Sequence, residues 1–159
     1  MRDAVGAAWI FGICLTFTLM FTAYMAISVN YAKTNKFKSA VVSMVEEHEG
    51  MNDDLENTIT EFIENQSYNA YGRCKDDYTH NNTDWSLLSC INSNAPKGDL
   101  CNICIYKEMG TGTTDIGVPR SRYRVVTFMK FDIPVVRHLF SMKVAGETKY
   151  FYDFASGPM

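Results

Sequence analysis

The chain has 159 residues and a net charge of −3. That balance lacks the basic excess a nucleic-acid partner would select, so no nucleic-acid role is expected. Ten Phe, nine Tyr and two Trp fall mostly at strand-like positions, where such rings pack a core rather than a binding surface.

The first element is an apolar helix. From Ala4 to Val29 no side chain is charged, and a helix of that length runs roughly 39 Å. A bilayer core is about 30 Å thick, so the segment is long enough to span it with some tilt. Two other readings compete. Ala26-Ile27-Ser28 has the small residues of a signal-peptide cleavage site, but the apolar stretch is too long for the usual h-region and only Met1-Arg2-Asp3 precede it. A buried core helix is rarely free of charge over such a length. The expected organisation is a transmembrane anchor over 1–31 and a folded domain over 32–159, a size that suits one domain.

The helix continues past the apolar run. Ala32 to Glu47 holds no Pro or Gly, and Phe37, Val41, Met44 and Val45 form one apolar stripe. Lys33, Lys36 and Lys38 lie mostly off that stripe. Gly50 is the expected stop, giving one helix from about Ala4 to His48 with a membrane half and an amphipathic half. A second helix begins at an Asp53 or Asp54 cap and carries Leu55, Ile59, Phe62 and Ile63 on one side, ending near Asn65.

Ser67 to Lys97 reads as a long irregular region rich in Asn, Asp, Ser, Tyr and Gly, pinned by Cys74 and Cys90. Strands follow: Asn102 to Met109, Arg122 to Ile133 ended by Pro134, and Leu139 to Tyr152. The turn-rich stretch 110–114 links the first two. Along the second, Tyr123, Val125, Thr127, Met129, Phe131 and Ile133 share one face. Arg124, Val126, Phe128, Lys130 and Asp132 share the other. In the third, Phe140, Met142, Val144 and Gly146 line one side, and Gly146 marks a bulge or a close helix approach. The fold class expected is α+β, with an antiparallel sheet of about three to four strands burying one face on the amphipathic half of the first helix.

Four cysteines, Cys74, Cys90, Cys101 and Cys104, lie in the polar part, whereas Cys14 sits within the apolar run as a small packing residue. Cys101 and Cys104 form a C-x-x-C at a strand start rather than at a helix start, which disfavours a thioredoxin-like redox site. Cys74 and Cys90 are too far apart for paired zinc knuckles. Two structural disulfides are expected. Three pairings of the four cysteines are possible. Cys101 and Cys104 point to opposite faces of a strand, which favours each bonding outward to the loop. Of the two pairings this leaves, Cys74–Cys104 with Cys90–Cys101 is the one expected.

Orientation divides the signals. Counting Lys33, Lys36 and Lys38 after the span against Arg2 before it places the C-terminal side in the cytoplasm. Clustered disulfide cysteines place it in an oxidising compartment. The cysteines are given more weight, so the N-terminus is expected in the cytoplasm.

His48, His80 and His138 are scattered, and no nucleophile motif, Walker loop or GxGxxG is present. No catalytic, cofactor or metal site is expected, nor a small-molecule substrate. Asn65-Gln66-Ser67 and Asn81-Asn82-Thr83 match the N-glycosylation pattern, which short polar sequences meet by chance.

Three stretches carry a family resemblance: AISVNYAK at Ala26 to Lys33, YRVVTFMKFDIP at Tyr123 to Pro134, and LFSMKVAGET at Leu139 to Thr148. With the continuous N-terminal helix, the chain resembles small TadE-like proteins, the minor-pilin class of the tight-adherence pilus and secretion system. The resemblance covers both ends and little of the loop. Prepilins are cut after a Gly and carry Glu at the fifth mature residue; Gly6 meets the first requirement, and Phe11 stands at the Glu position. The resemblance implies a non-enzymatic, single-pass subunit or accessory protein of a type IV pilus-like assembly or secretion machine. Its N-terminus would face the cytoplasm, its domain would be extracytoplasmic, and Gly6, Ala7, Ala8 and Gly12 would pack against helices of other pilin-like subunits. Competing readings are a single-pass receptor or adhesion module binding through Tyr68 to Trp85, and a membrane-tethered thiol-disulfide protein using Cys101 and Cys104.

Overall fold

In the computed structural model, which describes residues 2–81, 83–93, 100–109, 120–129 and 142–152, the chain is an α+β protein built on one long helix. Helix α1 runs from Arg2 to Glu47 and α2 from Asp53 to Asn65. Strands follow as β1 (Asp77–His80), β2 (Thr83–Ile91), β3 (Ile103–Met109), β4 (Arg120–Ser121), β5 (Tyr123–Met129), β6 (Met142–Glu147) and β7 (Phe151–Tyr152).

Helix α1 has 46 residues, about 69 Å at helical rise. Its stop is a backbone device. Glu49 turns left-handed at φ 53 and Gly50 follows at φ 142, a value that L side chains rarely adopt. The Gly50 N–H then reaches back to the Val45 carbonyl at 3.1 Å, occupying one of the last orphan acceptors. At the start of α2 the expected cap is corrected. Asn52, not Asp53 or Asp54, is the cap, its side chain accepting from the Leu55 N–H at 2.7 Å. Asp53, Asp54 and Glu56 occupy the first turn instead, where negative charge suits the helix dipole.

The sheet is larger than the sequence suggested. Five strands run in the order β1-β2-β3-β5-β6, every adjacent pair antiparallel, and β4 and β7 form a separate two-stranded ladder. The region read as irregular contains the β1–β2 hairpin, closed by a two-residue turn in which Asn81 takes φ 52. The strands are hidden because β1 is short and polar and pairs only with β2, whereas β2 is held on its other side by distant β3, and a bulge between Leu87 and Ser89 breaks its alternation. The third predicted strand is split as well: between β6 and β7, the Thr148 hydroxyl accepts from the Tyr123 N–H at 3.0 Å. Phe131, Ile133, Pro134, Phe140, His138 and the link 110–114 lie outside the described residues.

The edge strands β1 and β6 are largely exposed, whereas both faces of the sheet are buried along its central strands. On one, Ile91, Ile103, Ile105, Tyr123 and Val125 pack against Phe37, Val41 and Val45 of α1 and Leu55, Ile59 and Ile63 of α2. These are the predicted stripes, with Met44 and Phe62 partly buried at the margin. On the other face, Trp85, Cys104, Tyr106, Val126 and Phe128 pack with Ala70 and Cys101. Gly146 pairs with Val125 in regular register and is the close-approach position, not a bulge. A Cβ there would meet Lys38 Cδ at 2.9 Å and Val42 at 3.2 Å, so α1 crosses the sheet directly over it.

Candidate functional site

Three places concentrate uncovered or chemistry-bearing side chains: the bare half of α1, the two cystines, and an arginine-aromatic ladder.

The N-terminal half of α1 touches nothing. Its most apolar stretch has a mean hydropathy of 2.0 with no part buried, and is long and apolar enough to cross a membrane. Trp9, Phe11, Phe17, Met20 and Phe21 stand exposed along it. Its threonine hydroxyls are satisfied within the helix. Thr16 donates to the Gly12 and Ile13 carbonyls at 3.0 and 2.9 Å, Thr18 to Cys14 at 2.8 Å and Thr22 to Leu19 at 2.9 Å. Ala8, Gly12 and Thr16, one helical turn apart, open a notch of about 490 Å³ beside Trp9 and Ile13. Of the predicted packing residues, Ala8 and Gly12 therefore share a surface. Gly6 and Ala7 are exposed on the same helix but do not line the notch.

In the domain, Cys74 is bonded to Cys104 and Cys90 to Cys101, with Cα separations of 5.7 and 5.5 Å. These are the expected pairs, although strand alternation excluded only a Cys101–Cys104 bond and left Cys74–Cys101 with Cys90–Cys104 open. Cys90 and Cys104 face each other directly across β2 and β3, yet each bonds elsewhere. Gly72 accounts for this. It forms a two-bond bridge with Cys101, N–H to carbonyl at 2.9 and 2.8 Å, and so carries the chain before β1 under the sheet, close to Cys104. The Sγ atoms of Cys74, Cys90 and Cys101 all lie within 4.8 Å of one another. Such a cluster has the donor set of a thiolate metal site only when reduced, because a cystine sulfur has no thiolate to offer.

The ladder was not anticipated. Arg120, Arg122 and Arg124 recur at every second residue. Arg120 and Arg122 lie over the Tyr150 ring at 4.5 and 4.9 Å, Arg122 over Trp85 at 5.1 Å, and Arg124 over Tyr78 at 5.7 Å. Glu108 pairs with Arg122 at 3.2 Å, and Glu147 with Arg122 and Arg124 at 3.0 and 3.4 Å. The Arg124–Glu147 contact is an ion pair without hydrogen-bond alignment, and Arg124 Nη1 and Nε lack hydrogen-bond partners. The signal in the sequence was the i, i+2, i+4 spacing of the arginines. Burial raises the Tyr78 hydroxyl, with Arg124 pulling it down and Glu147 up; burial also raises Tyr106, whose oxygen accepts from the Lys75 N–H at 3.0 Å. Arg120 Nε and Trp85 Nε1 are likewise buried without a hydrogen-bond partner, so the ladder is held by ion pairs and ring contacts and reads as a structural brace across the second face.

One further cluster joins the two halves of the molecule. Tyr68, just after α2, stacks on Phe37 of α1 with ring centroids 4.0 Å apart and 2° between planes. Its hydroxyl donates to the Phe128 carbonyl. Burial pushes that hydroxyl up to about 12, against the smaller opposing pull of hydrogen bonds with Thr34, Thr127 and the Phe128 carbonyl. Asn102, fully buried, donates to the Ala70 carbonyl at 2.9 Å and accepts from the Ser93 N–H at 3.0 Å, holding the same segment. His48 lies at the end of α1 with Nδ1 3.0 Å from the Met44 carbonyl, and His80 ends β1, exposed. Neither meets a nucleophile or a second ligand among the described residues.

These features define an α+β domain, cross-linked by two cystines, on the end of a helix whose other half is apolar and uncovered. No protein-family model, curated protein or solved structure matches the chain.

Proposed function

We propose that the protein is a non-enzymatic, single-pass membrane subunit or accessory factor of a TadE-like, type IV pilus-related assembly or secretion machine. The observation that carries this reading is the division of α1. One unbroken helix supplies an uncovered apolar half and then the spine of the folded domain, with Phe37, Val41 and Val45 in its core. A rigid helical junction of this kind transmits position from membrane to domain without a hinge.

In this reading α1 spans the bilayer with its N-terminus in the cytoplasm, and the domain is extracytoplasmic, where the two disulfides would form and persist. The work is done by packing. The notch at Ala8, Gly12 and Thr16 admits a neighbouring helix closely, as small residues do in membranes. The partners are other pilin-like subunits.

The experiment is cysteine crosslinking in native membranes of a Cys14→Ser background, with single cysteines placed along 6–18. Crosslinks between copies or to pilin-like subunits should recur at helical period and centre on positions 8, 12 and 16. Gly12→Ile should abolish them while the chain stays in the membrane fraction after alkaline carbonate. A chain that carbonate extracts, or a span with no periodic crosslinks, would overturn the assembly reading.

A further inference from the structure

The three lysines beyond the span are not equivalent. Lys38 is used by the fold: it donates to Asn35 Oδ1 at 2.9 Å and its stem lies across Gly146. Lys33 and Lys36 are exposed, and neither has a hydrogen-bond or ion-pair partner among the described residues. Both instead line a groove of about 660 Å³ between α1 and the turn at 66–70, within the size range of sites for small ligands. Its inner wall includes Phe37, stacked on Tyr68 at 4.0 Å and on Phe62 at 5.2 Å. Among the described residues that line it there is no carboxylate.

The groove is placed by the helix. Lys33 and Lys36 follow Val29, the last residue of the charge-free run, by four and seven residues, roughly 6 and 10 Å along the axis. The polar headgroup layer begins where the hydrocarbon ends and is about 5–8 Å deep on each side. Spaced three apart, the two lysines project from one side of α1. A cationic groove with an aromatic wall therefore opens at the membrane surface, with Lys33 inside the headgroup layer and Lys36 at its outer edge, from where its long side chain can reach back toward the phosphates.

We infer that this groove is a binding site for the phosphate-bearing headgroup of an anionic phospholipid, held by Lys33 and Lys36 against the Phe37–Tyr68 stack. The inference rests on the reading of α1 as a membrane anchor. It also accounts for basic residues on the side of the span where charge counting does not expect them: they are recruited to a lipid, not to topology. Lipid bound there would hold the domain at a set height and tilt against the membrane.

The test uses the full chain reconstituted into vesicles of phosphatidylcholine containing a minority of phosphatidylglycerol. Lipid retained after mild detergent extraction is measured by mass spectrometry. The expected result is phosphatidylglycerol enriched about tenfold over its bulk ratio, on the scale of two lysines acting near an anionic surface. Lys33→Gln with Lys36→Gln returns the ratio to bulk, Lys33→Arg with Lys36→Arg restores it, and Lys38→Gln leaves it enriched. No enrichment in the wild type, or equal enrichment in the double Gln variant, overturns the inference. Displacement of the lipid by millimolar inorganic phosphate also overturns it, by assigning the site to the free anion. Carbonate extraction of the same vesicles reports the anchor separately: a chain that resists extraction but shows no lipid preference fails this inference alone.

Discussion

The ring of Phe128 packs against the backbone of Gly72 so closely that a Cβ on Gly72 would lie 2.3 Å from two of its ring carbons. This contact seals the second face of the sheet. It brings the segment before β1 under β5 and delivers Cys74 to Cys104.

Gly72→Ala should therefore destabilise the domain by about 1–3 kcal/mol, the range for overpacking a tight core. Phe128 is 1% exposed and has nowhere to move. Gly146→Ala is the matched control. Its new methyl would meet the far end of the flexible Lys38 stem, so the loss should be smaller. Urea denaturation of both variants checks the order, and equal losses would remove the special status of Gly72.

Alkaline pH should unfold the protein through Tyr68. Its folded-state value of about 12 lies above the ordinary tyrosine value of 10.0. The unfolded chain therefore loses its proton first, and stability falls as pH rises through the interval between the two. Below pH 10 this stability is fully present; by pH 12 about 2–3 kcal/mol should be gone. Tyr68→Phe should flatten that part of the pH profile. It should also cost about 1–3 kcal/mol at neutral pH by leaving the Phe128 carbonyl without its donor. Denaturation midpoints across the alkaline range separate the two effects.

The cystines should differ in weight. Cys74–Cys104 closes a loop of separation 30 and Cys90–Cys101 one of 11. Replacing the first pair with Ala should cost about 3–4 kcal/mol and the second about 2–3 on loop entropy. Single replacements should be avoided. With three sulfurs within 4.8 Å, the orphaned thiolate would stand beside the surviving disulfide and exchange with it. Non-reducing peptide mapping should recover the two native pairs from the wild type and shuffled pairs from Cys90→Ala.

Asn102→Leu should cost about 2–4 kcal/mol, because the Ala70 carbonyl and Ser93 N–H would both be left inside without this partner. Hydrogen exchange should then rise at 68–72 and 91–93 before it rises in α1. Uniform loss of protection would instead make Asn102 a general core residue.

Helices proved far more legible than strands. The stripe Phe37, Val41, Val45 and the stripe Leu55, Ile59, Ile63 could be read directly because helical periodicity is local, and both are buried as expected. The cap at Asn52 was missed by one residue because Asn, Asp53 and Asp54 can each accept a capping bond. The β1–β2 hairpin was missed because β1 is short and polar and because β2, though it carries Trp85, Leu87 and Ile91, loses its alternation at the bulge between Leu87 and Ser89. Arg120, Arg122 and Arg124 carry their spacing openly, but their aromatic partners come from β1, β2 and the segment before β7.

By itself the sequence determined that one continuous helix would have an apolar half and an amphipathic half, and that four cysteines would cluster in the polar part. Both follow from composition and from spacing along a single element. Only the tertiary structure decided that both faces of the central strands would be buried, and that Lys38 would serve the fold while Lys33 and Lys36 stay free in a groove beside Tyr68. Those outcomes depend on which distant segments meet, through strand register and through the path that Gly72 allows, and no local periodicity encodes that meeting.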